Sequence, residues 1–169
     1  MGKEFPTGVL TISDKGSQGK RVDESGKEAI TLLLGAGFSV MQTRIVPDDR
    51  QQIGRTLIEW ADRDCLSLVV TSGGTGLSPS DVTPQAMKDV IDFEVPGMAE
   101  AMRAESLKKT PHAMISRAMA GVRGRCLIIN LPGSPAGVRD NLCVVLPALK
   151  HALEKLAGDT SDCAAPTAR

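Results

Sequence analysis

The chain has 169 residues, 41% of them apolar and 24% charged, which suits one domain whose core needs no disulfide staples. Twenty basic and twenty acidic side chains cancel, so no overall field draws the protein to nucleic acid or to a membrane surface. Three Phe, one Trp and no Tyr offer little for a base-stacking platform, and no segment approaches the ~18 apolar residues of a membrane span.

In chain order, "VLTIS" (Val9 to Ser13) predicts a first strand, followed by the polar loop "DKGSQGKRVD". Ser25 and Glu28 make a capping-box pattern for a helix with Ile30, Leu33 and Leu34 on one face, stopped by Gly35 and Gly37. Phe38 to Val46 reads as a strand with polar interruptions, suited to a sheet edge. Pro47-Asp48-Asp49 opens a second helix carrying Ile53, Leu57, Trp60 and Ala61 at i, i+4, i+7 and i+8. Leu66 to Thr71 is a continuous apolar run of the kind that parallel sheets bury on both faces. Strand–helix–strand–helix–strand predicts an α/β domain with right-handed crossovers.

Then comes "TSGGTGLSPSDVTPQA", Thr71 to Ala86. Thr83 as N-cap and Pro84 at the first helical position predict a helix whose buried face holds Met87, Val90 and Ile91. Pro96-Gly97 precedes another helix with Met98, Ala101 and Met102. His112 to Gly121 carries no clear pattern. "CLIINL" (Cys126 to Leu131) is a second fully apolar strand, and "PGSP" leads into a helix from about Ala136, which Pro147 is expected to divide from a last one. Residues 1–158 read as a single domain and 159–169 as a disordered tail.

The cysteines Cys65, Cys126, Cys143 and Cys163 lack C-x-x-C spacing, and His112 and His151 are the only histidines, so a zinc site has little to draw on. Cys65 and Cys126 open predicted strands and read as small buried hydrophobes. With no secretory apolar run near the N-terminus, a reduced, cytoplasmic protein is expected.

Ligands of an open parallel sheet bind beyond the carboxyl ends of its strands. Three such ends carry unusual chemistry here: Ser13-Asp14, Ser72-Gly73-Gly74-Thr75-Gly76, and Pro132-Gly133-Ser134-Pro135. The helices that follow would aim backbone N–H groups and positive dipole ends into that space, a natural phosphate site. The glycine loop is neither a P-loop nor a Rossmann fingerprint, and a tight turn explains it as well as a ligand does. Asp81 tips the balance, because Thr83 and Pro84 already start the helix and leave the acid no evident local job. Asp48 is more ambiguous, since either it or Asp49 can cap the helix containing Ile53. Glu100 and Arg103, three residues apart, read most simply as a helix-surface pair, and Ser134 as an N-cap. An anion-friendly crevice with one or two carboxylates suits Mg²⁺, which takes that many and leaves its other positions to water and phosphates.

The run "SGGTGLSPSDVTPQA" resembles the signature of the molybdopterin adenylyltransferases, the MogA/MoaB family that includes the gephyrin G domain. "LTISD", "RIVPDD", "EVPGMAEAMR", "SRAMAGVRG" and "LIINLPGSP" fit in the same order, from about Val9 to Leu156. The resemblance implies a three-layer α/β/α domain with a mostly parallel central sheet, usually a trimer. It further implies Mg²⁺- and ATP-dependent adenylylation of the molybdopterin terminal phosphate, and handover of the product to the molybdate-inserting enzyme. Asp48 and Asp81 match the family's functional carboxylates. Ser13, Asp14, Ser72 to Gly76 and Pro132 to Pro135 match its ligand loops, while Glu100 and Arg103 fall in a helix of the pocket wall. Two positions depart from the pattern: Ser80 and Phe93 stand where basic residues are common. The alternative is a non-catalytic scaffold or carrier that binds molybdopterin without the Mg²⁺ chemistry.

Overall fold

The computed structural model describes residues 4–160. Its centre is a six-stranded sheet in the order β2-β1-β3-β6-β5-β4. β1 (Pro6–Ile12), β2 (Ser39–Val46), β3 (Leu68–Ser72) and β6 (Cys126–Leu131) are mutually parallel. β5 (Ala120–Arg123) runs antiparallel to β6, and β4 (Phe93–Glu94) antiparallel to β5. The expected polar strand is indeed an edge, and the two apolar runs, β3 and β6, lie side by side in the interior.

Side chains alternate across that sheet and build two cores. On one face Val9, Leu68, Val70, Leu127 and Ile129 pack against α2 (Glu24–Gly35), α5 (Pro96–Leu107) and α6 (Pro135–Leu156). On the other, Leu10, Val69 and Ile128 meet Ile53, Leu57 and Trp60 of α3 (Arg50–Ile58) and its π-helical extension Glu59–Arg63, together with α4 (Thr83–Lys88). Ile53 and Leu57 are fully buried, worth about 1.5–3 kcal/mol each. The result is the three-layer α/β/α arrangement with a mostly parallel sheet.

Several local expectations are corrected. The cap of α2 is Asp23, whose carboxylate accepts from Gly26 N, rather than Ser25, and Leu34 faces solvent. Thr83 does not cap α4: Val82 occupies the cap without a side-chain bond, and Val90 and Ile91 lie past the helix end. α6 is one helix of 22 residues with Pro147 inside it. Pro147 and Cys143, four residues earlier, are both exposed, so the carbonyl that loses its partner lies on the solvent side. Cys126 is buried as expected, and burial pushes its thiol up to about 12, but Cys65 is exposed with φ +53. The polar loop after β1 contains a short helix, α1 (Asp14–Ser17). The patternless stretch holds a 3-10 turn (Pro111–Ile115) and leads into β5. Of the expected tail, residues 161–169 lie outside the described residues.

Candidate active site

The sheet order reverses at β1: its chain successor β2 lies on one side and β3 on the other. At such a switch point the loops leaving neighbouring strands diverge and open a crevice at their carboxyl ends. A cleft of about 390 Å³ sits there, lined by Ser13, Asp48, Gly73, Gly74, Asp81, Gly133, Ser134 and Pro135, and also by Thr11, Arg21, Asp23, Glu24 and Ser25. Four loops distant in sequence, those after β1, β2, β3 and β6, thus share one wall.

The glycines are required by close approach. Gly73 has φ +105, its N–H donates to the Leu131 carbonyl at 3.0 Å, and a Cβ there would collide with the Ile12 carbonyl oxygen. Gly74 has φ +66, and a Cβ would strike the Thr83 hydroxyl. Only glycine lets the β1, β3 and β6 ends pack backbone against backbone. Ser134 caps α6 through a 3.0 Å bond from Gly137 N, as its sequence context suggested. Residues of the first turns of α2 (Glu24, Ser25) and α6 (Pro135) line the cleft, so two helix starts border it.

Asp48 is released from capping because Asp49 does that work, accepting from Gln52 N at 2.7 Å. Instead Asp48 and Asp14 hold each other. Asp14 N donates to Asp48 Oδ2 at 3.0 Å, and Asp48 N donates to Asp14 Oδ1 at 2.9 Å. That reciprocal pair ties the end of β1 to the end of β2. Partial burial raises the Asp48 pKa from its ordinary value; the Asp14 N–H pulls it down, and the nearby charges of Asp14 and Asp81 push it up. A carboxylate held among other carboxylates and partly desolvated is an arrangement that a cation relieves.

Asp81 does have a local partner, contrary to the sequence reading. Its Oδ2 accepts from Ser78 N at 2.9 Å, and its own N–H donates to the Ser78 carbonyl at 2.9 Å. The acid closes the loop it sits on while also lining the cleft. Thr83, expected to cap, is fully buried with a hydroxyl that finds no partner.

The remaining expected residues separate. Thr75, Gly76, Arg103, Pro132 and Ser134 line a second cleft, also about 390 Å³, together with Lys109, His112 and Asn141. Ser134 belongs to both. Arg103 makes no pair with Glu100; its Nη1 donates to the Ala118 carbonyl at 2.7 Å. Glu100 is exposed and lines neither cleft. Ser72 is 1% exposed and bonds Ser25 across 3.2 Å, which makes it part of the wall's support.

Asp23 is one cleft residue that sequence reasoning missed. Its carboxylate accepts from Thr11 Oγ1 at 2.7 Å, Ser25 Oγ at 3.1 Å and Gly26 N at 2.8 Å. The signal was available, since Asp is as good a cap as Ser, but the Ser25–Glu28 spacing drew attention two residues too far.

The chemistry of the first cleft follows from its charges. Asp23, Glu24, Asp48 and Asp81 line it against Arg21 alone, yet helix starts and glycine backbone favour anions. A polyphosphate approaching such a wall would meet four carboxylates against one guanidinium, a balance that a divalent cation would offset. Hard carboxylate oxygens from Asp48 and Asp81 fit Mg²⁺, which is commonly held by one or two carboxylates plus phosphate oxygens.

Comparison with known proteins gives the family. Residues 8–151 match the family described as probable molybdopterin binding domain. The chain is 41% identical over 154 residues to a molybdopterin adenylyltransferase of Helicobacter pylori strain J99, covering 90% of this chain and 88% of that one. It is 41% identical over 161 residues to gephyrin of Dictyostelium discoideum, covering 89% of this chain but spanning only 22% of gephyrin's length. Among solved structures, the molybdopterin biosynthesis enzyme MoaB of Thermus thermophilus superposes with a TM-score of 0.87 at 50% identity, over 92% of this chain and 98% of that one.

Proposed function

Because this chain belongs to the molybdopterin-binding domain family, we propose that it is a molybdopterin adenylyltransferase of molybdenum cofactor biosynthesis. A phosphate oxygen of molybdopterin attacks the α-phosphorus of ATP, the bond to the bridging oxygen breaks, and pyrophosphate leaves. The observation that carries the reading is the first cleft, where the glycine loop, the Gly133–Pro135 loop and the two aspartates Asp48 and Asp81 meet.

The nucleophile is already an anion, so no strong general base is required; two anions must instead be brought together in line. Gly73 and Gly74 let the strand ends pack closely enough to line the cleft, and the starts of α2 and α6 add positive dipole ends. The Asp14–Asp48 lock sets the position of one carboxylate and the Ser78–Asp81 turn sets the other. These two would hold Mg²⁺, which when bound offsets the charge on the transferring phosphoryl oxygens. Arg21 is the cation of the cleft lining and is suited to the departing pyrophosphate.

A trimer, handover of the adenylylated product to a molybdate-inserting enzyme and a cytoplasmic setting belong to the same proposal. The thiols of Cys65, Cys126 and Cys143 are free, as a reducing compartment requires, and no helix among the described residues is long and apolar enough to cross a membrane.

The test is incubation with molybdopterin and ATP, with Mg²⁺ or with a chelator, followed by mass analysis. Adenylyl-molybdopterin should form only with the metal. Tight molybdopterin binding with no product under any divalent ion would favour the scaffold instead.

A further inference from the structure

Arg117 takes no part in the reading above and lines neither of the two clefts, yet three of its donors converge on the glycine loop. Its backbone N–H donates to the Thr75 carbonyl at 2.8 Å, its Nε to the Gly76 carbonyl at 2.8 Å, and its Nη2 to the Asp81 carbonyl. Among the described residues it makes no ion pair: both side-chain bonds go to backbone oxygens. The loop it grips has little else. Leu77, Ser78, Pro79 and Ser80 are exposed, the Ser78–Ser80 and Ser78–Asp81 bonds stay inside the loop, and the neighbouring Thr83 N–H reaches the Gly74 carbonyl only at 3.3 Å. Among the described residues, no other hydrogen bond ties Gly76–Asp81 to a different part of the chain.

We infer that Arg117 is the positioning residue of the site: its guanidinium bridges the Gly76 and Asp81 carbonyls, pins both ends of the loop, and so fixes where the Asp81 carboxylate stands in the cleft. A planar fork with separated donors suits that bridge, whereas the single nitrogen of a lysine does not. Arg103 supports the same structure from behind, because its bond to the Ala118 carbonyl anchors the residue next to Arg117. The motif "SRAMAGVRG" thereby acquires a physical role, a clasp reaching from the segment before β5 to the loop after β3.

The inference rests on Asp81 acting in the proposed reaction, and the experiment separates the two. Arg117→Lys keeps the charge and loses the bridge; Arg117→Gln is run beside it, in case one variant folds poorly. If the parent makes adenylyl-molybdopterin, Arg117→Lys should turn over roughly 10–100-fold more slowly, the cost of a misplaced reacting group. Its half-saturating Mg²⁺ concentration should rise several-fold while the molybdopterin KM stays within about twofold. In an Asp81→Asn background the Arg117→Lys penalty should nearly vanish, because a residue acting through Asp81 has nothing left to place. Hydrogen exchange, read without substrate, should quicken at Leu77, Ser78 and Ser80 and not in α5. An inactive parent would sink the proposed function and leave the exchange result to judge the clasp. A parent-like Mg²⁺ dependence, or penalties that multiply in the double variant, would overturn the positioning role, even were the melting point lower.

Discussion

The two clefts that flank Ser134 have the same volume, about 390 Å³, and opposite chemistry. The first is walled by backbone and carboxylates, with Asp23, Glu24, Asp48 and Asp81 against Arg21. The second is lined largely by small and apolar residues, Ala113, Ile115, Pro132 and Ala136 among them, and Arg103 is the charge left over once Lys109 is paired to Asp140 at 2.5 Å. A net charge of zero hides this division. The overall balance excludes broad electrostatic steering, but it says nothing about a carboxylate-lined wall and a largely apolar one placed side by side. The difference teaches what each wall suits under the proposed function: charged groups and a cation at the acidic wall, a less polar part of a substrate along the other.

The largest expected effect is at Asp81. Asp81→Asn retains an oxygen to accept the Ser78 N–H, so its melting midpoint should match the parent's, while steady-state turnover falls roughly 10²-fold or more. A variant that melts early and turns over normally would make Asp81 a loop residue and nothing else. Next comes Gly73→Ala, which meets both a positive φ and the Ile12 carbonyl. Urea unfolding should show a loss of about 2 kcal/mol or more; a neutral substitution would mean that the three strand ends are not packed as described.

Adjacent acids sharpen the contrast. Asp49→Ala removes a cap and should cost about 1 kcal/mol. Asp48→Asn keeps an acceptor for Asp14 N and should cost nothing at neutral pH. The sign follows from linkage: the folded-state pKa of Asp48 lies above 3.8, so between those two values the native state binds more protons than the unfolded one. Stability therefore declines as pH rises through that window, and the ionised carboxylate is a net cost above it. Melting curves should place Asp48→Asn at or above the parent at pH 7, with the two converging in acid. The smallest effect belongs to Thr83→Val, which replaces an unpartnered buried hydroxyl with a methyl group and should stay within about 0.5 kcal/mol of the parent. A loss near 1 kcal/mol in denaturant titration would restore Thr83 as a cap.

The inner strands were legible because burial on both faces leaves an unbroken apolar run, as in Leu68–Ser72 and Cys126–Leu131. β4, at two residues, and α1, at four, are too short to show a period. Pro147 misled because proline is read as a helix breaker, while the packing of Leu142, Val145, Leu149 and Leu153 holds α6 together across it. At the site, residue types and order were readable, and the parallel sheet brings Ser13, Asp48, Gly73, Gly74 and Asp81 to one cleft, whereas Thr75, Gly76, Arg103 and Pro132 line the second. What was not readable were contacts made only in three dimensions. The Asp14–Asp48 lock spans 34 positions, the Arg117 bond to Asp81 spans 36, and Arg103 turned to Ala118 rather than to its helix neighbour Glu100.

The claim at the centre of this account is that the acidic cleft accepts polyphosphate only with a divalent cation. Calorimetric titration of ATP into the protein, in Mg²⁺ and again in excess chelator, measures it directly. Saturable binding in Mg²⁺ that weakens roughly tenfold or more without it is the predicted result, because bare triphosphate must face the Asp48 and Asp81 carboxylates. Equal affinity in both buffers would contradict the account and place the nucleotide elsewhere.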